Sequence, residues 1–143
     1  MPTIDAVKYR LENFNIIWVI ADILSSQTKF IDNLIKNQWL HGEAQDDMPL
    51  GQYASKPYAI YKNEKNSLPG FWFMDLIDTG ATIDSLQTEV TEDSLVYNLQ
   101  SDRNELLDRF GERILGLNYQ SRLKLIEFVS PLLTERIKLI FHD

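Results

Sequence analysis

Asp75-Leu76-Ile77-Asp78-Thr79-Gly80-Ala81, with Ser85 shortly after, is the stretch on which the reading of this chain turns. An Asp-Thr-Gly placed after apolar residues can do acid–base chemistry if a second carboxylate shares a proton with Asp78. The same residues can instead form a tight bend. Gly80 then supplies a positive φ, Asp75 or Asp78 accepts hydrogen bonds from the turn's amides, and Ser85 helps to lock the strand that follows. In the first case the chain is an enzyme, in the second a scaffold. The flanking sequence has to decide.

Just upstream, Phe71-Trp72-Phe73-Met74 is strongly apolar and predicts a short strand or a buried approach to the turn. Downstream, residues 82–90 are rich in β-branched side chains. Thr91-Glu92-Asp93 supplies a turn, and Leu95, Tyr97 and Leu99 alternate onto one face, which predicts an antiparallel hairpin. Asp102 and Glu105 suit a capping box for a short helix through Phe110, stopped by Gly111. Residues 113–115 read as another short strand. Asn118 is placed to cap a last helix to about Phe141, with an apolar stripe of Leu123, Ile126, Val129, Leu133, Ile137 and Ile140. Pro131 should kink or split that helix.

Towards the N-terminus, residues 43–70 read as a loop, broken by Pro49, Gly51, Pro57, Pro69 and Gly70. Tyr53, Tyr58 and Tyr61 stand there among Lys56, Lys62 and Lys65, either as a binding surface or as cover for a sheet edge. Residues 15–40 repeat apolar positions about every four residues, from Ile16 to Trp39. That predicts one amphipathic helix roughly 35–40 Å long, with Ser25-Ser26 as a point of kinking and His41-Gly42 as its stop. Trp18 and Trp39 are assigned to helix packing. Residues 3–13 form a shorter helix. The expected fold is a single α+β domain over residues 1–143. A long N-terminal amphipathic helix and a C-terminal helix pack on a small antiparallel sheet.

The composition, 44% apolar and 24% charged over 143 residues, places the chain among ordered globular proteins. Its longest apolar run, residues 16–21, is far short of the ~20 residues that span a bilayer, so no membrane partner is expected. The first residues show no basic segment leading into an apolar one, which predicts a chain made and kept in a cytoplasm. No cysteine is present, so disulfides, thiol nucleophiles and Cys-zinc sites are excluded. His41 and His142 are the only histidines, one at a helix end and one at the penultimate position. No catalytic, cofactor-binding or metal-ligating residue is assigned. With a net charge of −7 and no basic cluster, direct nucleic-acid binding is not expected.

Asp78-Thr79-Gly80-Ala81 resembles the catalytic turn of retropepsin-type aspartic proteases, and Ile114-Leu115-Gly116-Leu117-Asn118 resembles the segment that supports it. That resemblance implies a homodimer with Asp78 facing its copy. Against it stand the helical periodicity of much of the chain and the charge of Asp75 where an apolar residue is usual. Such a charge is costly beside a dyad unless paired. Asp84 is likewise out of pattern, and the interval from Gly80 to Ile114 is short for a flap hairpin with its return strands.

The wider order of features resembles the small neck, tail-completion and minor capsid proteins of tailed bacteriophages, particularly those of Bacteroidetes hosts. It comprises a helix ending in Trp39-Leu40-His41-Gly42 and a Tyr/Pro/Lys segment, Tyr53-Ala54-Ser55-Lys56-Pro57-Tyr58 with Tyr61-Lys62. Next come the Asp-Leu-x-x-Thr-Gly turn into a hairpin, Gly111-Glu112-Arg113-Ile114-Leu115-Gly116-Leu117, and a proline-containing last helix. The acidic stretch Glu43-Ala44-Gln45-Asp46-Asp47 departs from the pattern. The resemblance implies a non-enzymatic structural protein of the virion, present in the host cytoplasm during assembly. Its copies would form a ring that contacts the portal or connector and the tail. Tyr53, Tyr58, Phe71 and Trp72 are then candidate interface residues, and Asp75, Asp78, Thr79, Gly80 and Ser85 a structural turn. A generic α+β interaction or adaptor module is the alternative.

Overall fold

The computed structural model of the chain describes residues 3–76, 84–99 and 104–141. Their elements run α1 (Ile4–Asn13), α2 (Ile16–Ser25), α3 (Thr28–Leu40), α4 (Lys56–Lys65), β1 (Gln87–Val90), β2 (Leu95–Asn98), α5 (Asn104–Phe110), a 3-10 turn (Glu112–Ile114) and α6 (Tyr119–Phe141). The fold is α+β, with helices around a two-stranded antiparallel hairpin that pairs Gln87 with Asn98 and Val90 with Leu95.

The centre is α3. Ile31, Leu34, Ile35, Gln38 and Trp39 are all buried, a spacing that points one face of a 3.6-residue helix inward. Ile23, Leu50, Leu76, Leu86, Ile114, Leu125 and Val129 pack around that face. An isolated hairpin is marginal in water; this one lies on α3, where Thr88 Oγ1 donates to Asp32 Oδ1 at 2.5 Å. Three buried bonds then fix the segment before α6. Gln38 Nε2 donates to the Gly116 carbonyl (2.9 Å), the Asn118 amide to Gln38 Oε1 (3.0 Å) and Trp39 Nε1 to the Ile114 carbonyl (2.9 Å). Asn118 Oδ1 accepts from the Ser121 amide and caps α6 as expected.

α3 ends at Gly42 for a geometric reason. The Gly42 amide donates to the Trp39 carbonyl and the Glu43 amide to that of Gln38, a Schellman pattern that requires a left-handed residue. Gly42 has φ +68°, and a Cβ there would sit 2.2 Å from the Met74 carbonyl oxygen.

Several expectations are corrected. The helix of residues 15–40 is two helices. Ser25 Oγ and Ser26 Oγ donate to the carbonyls of Ala21 and Ile23, competing with the backbone ladder, and α3 restarts after Gln27. Residues 43–70 are not all loop, because Pro57 occupies the first turn of α4, where its missing N–H is harmless. Residues 113–115 are no strand: Gly111 at φ +75° stops α5 and leads into the 3-10 turn. Residues 71–74 form a turn joined to residues 51–53 by a single bridge, Gln52 with Phe73. Pro131 does not split α6, which is continuous. Of the expected stripe, Val129 is buried but Leu123 and Ile126 face solvent, and Ser121 and Leu125, outside the stripe, are buried. Trp39 packs as expected. Trp18 is 63% exposed and does not.

Candidate functional site

Asp75, the residues just before it and the tyrosine segment meet on one side of the molecule. The turn at residues 70–74 runs beside residues 51–53: the Tyr53 amide donates to the Trp72 carbonyl and the Met74 amide to the Gly51 carbonyl, both at 2.9 Å. α4, whose buried positions are Ala59 and Lys62, reaches Asp75 just after the turn through Lys62.

Beneath the aromatic side chains sits a buried ion pair. Lys62 Nζ is 3.0 Å from Asp75 Oδ1, with side chains 9% and 2% exposed. Asn66 Nδ2 donates both to Asp75 Oδ2 (3.0 Å) and to the Leu40 carbonyl (2.7 Å), so it ties the pair to the end of α3. The Asp75 amide donates to the Tyr53 hydroxyl at 3.4 Å. Burial alone would lower the Lys62 pKa; the Asp75 carboxylate outweighs it and holds the ammonium above its usual value. Burial pushes the Tyr53 hydroxyl up as well. These groups are engaged with one another, an arrangement that fixes geometry.

Above the pair lies an aromatic layer. The Tyr53 and Tyr58 rings meet edge-on at 5.1 Å, the Tyr58 and Tyr61 centroids are 6.1 Å apart, and Lys65 Nζ lies 5.6 Å from the Tyr61 ring centroid. Phe71 and Trp72 form a second edge-on pair at 5.3 Å. Tyr58, Tyr61 and Phe71 are exposed, and Tyr53 and Trp72 half-buried. Trp72 adopts φ +80°, which is rare for a bulky residue and stores strain.

Of the expected turn residues, Asp75 and Ser85 are buried, with Asp75 in this ion pair and Ser85 just before β1. Asp78, Thr79 and Gly80 lie outside the described residues. The buried charge counted against the protease resemblance is in fact paired. Lys62 and Asn66 were not anticipated as partners of Asp75. Once residues 56–65 are treated as a helix, Ala59 and Lys62 share an inward face, while Tyr58 and Tyr61 share an outward one. Among the described residues, no cluster of His, Cys, Asp or Glu is suited to a metal ion, and no helix is long and apolar enough to cross a membrane.

Comparison of the chain with protein-family models, with curated proteins and with solved structures finds no match.

Proposed function

We propose that this chain is a non-enzymatic structural subunit of a tailed-phage virion, placed in the neck or at the head-proximal end of the tail. Its copies form a ring and contact the connector and the tail. The main support is the cluster of Tyr53, Tyr58 and Tyr61 beside the buried Lys62–Asp75 pair, with the Phe71–Trp72 ring pair joined to it through the bond from the Tyr53 amide to the Trp72 carbonyl. Preorganised aromatic side chains serve best as anchors in protein contacts. The strained Trp72 is in keeping with this, since strain kept at a half-exposed site points to a role beyond packing. The order of sequence features, from Trp39-Leu40-His41-Gly42 to the proline-containing last helix, supports the phage assignment in particular.

The test is to purify the chain for size-exclusion chromatography with light scattering, and to look for it by mass spectrometry in particles induced from its host. A large discrete oligomer, or recovery within particles, is the expected result. A monomer that joins no particle would refute the proposal. Peptide cleavage in acid that disappears in Asp78→Asn would support the protease resemblance instead.

A further inference from the structure

Residues 66–102 contain seven acids and neither lysine nor arginine, so this stretch alone accounts for the chain's net charge of −7. Glu89, Glu92 and Asp93 lie exposed on the hairpin. Beside them is a cleft of about 200 Å³. Ile17, Ile20, Ala21 and Leu24 of α2 form one wall, Val90 and Leu95 the other, and Glu92 and Asp93 stand at the rim. Pockets for small molecules usually run to about 300–1,000 Å³; this one has room for a single large side chain.

A side chain of suitable shape and charge is present at the other end of α3. Tyr61 is 52% exposed on α4, and the Lys65 ammonium rides over its ring. The cleft and this knob sit at different points along α3. The hairpin is tied to α3 at Asp32, while Asn66, the residue that caps the end of α4, is tied to the last residue of α3, Leu40, about 12 Å further along at 1.5 Å per residue. Contact between two like clefts would bring two acidic hairpins together, which electrostatics opposes. Contact between cleft and knob sets Lys65 against Glu92 and Asp93.

We infer that Tyr61 of one copy inserts between α2 and the hairpin of the next, with Lys65 paired to the acidic rim. The contact is heterologous, so its repetition gives a closed ring or an open filament. This inference rests on the self-assembling virion reading and adds the surfaces through which copies meet.

The test uses two exposed-surface variants of the full chain, Tyr61→Ala and the double change Glu92→Lys with Asp93→Lys, with circular dichroism to confirm folding. Sedimentation across a concentration series should show each variant associating about tenfold or more weakly than the wild type. Added salt should weaken wild-type assembly. Mixing the two variants should give a one-to-one dimer that grows no further, because one intact knob meets one intact cleft. Variants that assemble like the wild type, or a mixture that yields no dimer, would overturn the inference and leave the virion reading standing. A wild-type chain monomeric at every concentration overturns the inference too; the virion reading falls only if the chain is also absent from particles.

Discussion

Lys62 and Asp75 concentrate the physics of the candidate site at the scale of single residues. A buried ion pair adds little net stability over an apolar pair, yet removing one member is severe because the other charge stays behind. Lys62→Met should therefore lower unfolding stability by about 3 kcal/mol, read as a lower midpoint in urea. A loss under about 1 kcal/mol would mean that solvent reaches the pair. The folded pKa of Lys62 is raised. The pair's contribution is thus complete below the ordinary lysine value near 10.4 and is lost as pH rises through the higher folded value. In strong alkali the gap between wild type and Lys62→Met should narrow.

Among the elements, α6 is expected from its sequence, but its continuity is not. A proline inside a helix removes a backbone donor and crowds the preceding turn, yet the helix continues past Pro131. Ser130 Oγ donates to the Ile126 carbonyl at 2.6 Å and Thr134 Oγ1 to the Ser130 carbonyl at 3.0 Å, whereas the carbonyl that the proline deprives of its helical donor is that of Glu127. Burial of Leu125 and Val129 holds that part of the helix in place. Because the proline opposes the helix without breaking it, Pro131→Ala should stabilise the chain by about 1–3 kcal/mol. Differential scanning calorimetry would show a raised midpoint; an unchanged or lower one would mean that the proline's shape is itself packed. α4 shows the opposite case. Its proline sits where helices begin, so Pro57, a breaker by residue type alone, here opens a helix rather than ending one.

For the whole molecule, one exposed ion pair helps to close the chain on itself. Arg113 forms two bonds to the Asp46 carboxylate, at 3.2 and 3.1 Å, and donates to the Pro49 carbonyl at 2.9 Å. It thereby fastens the segment after α3 to the segment before α6, alongside the bond from the Gln45 amide to the Arg113 carbonyl. The Arg113 guanidinium holds the Asp46 pKa below its usual value. Its share of stability is present above the ordinary aspartate value of about 3.9 and is lost as pH falls through the lower folded value. Wild type should be more stable than Arg113→Gln at neutral pH by about 1 kcal/mol or less, the pair being exposed. Chemical denaturation along a pH series should show that gap narrowing in acid, without vanishing, since the bond to the Pro49 carbonyl does not titrate.

Local rules made much of this chain legible. The Thr91-Glu92-Asp93 hairpin, the Asn118 cap, the Gly42 and Gly111 stops and the inward face of α3 each follow from residues within a few positions of one another. The sequence by itself therefore determined an α+β chain with helices at both ends and a hairpin between them. It placed Val129 inward correctly, but it could not tell that Leu125 rather than Leu123 and Ile126 would share that buried face of α6, a choice that only the neighbouring helices make. Nor could it pair Asp75 with Lys62, thirteen positions away, or leave Trp18 in solvent while Trp39 was enclosed. Those outcomes depend on what arrives from distant parts of the chain. Tertiary structure alone settled them, since burial and ion pairing are properties of the assembled neighbourhood.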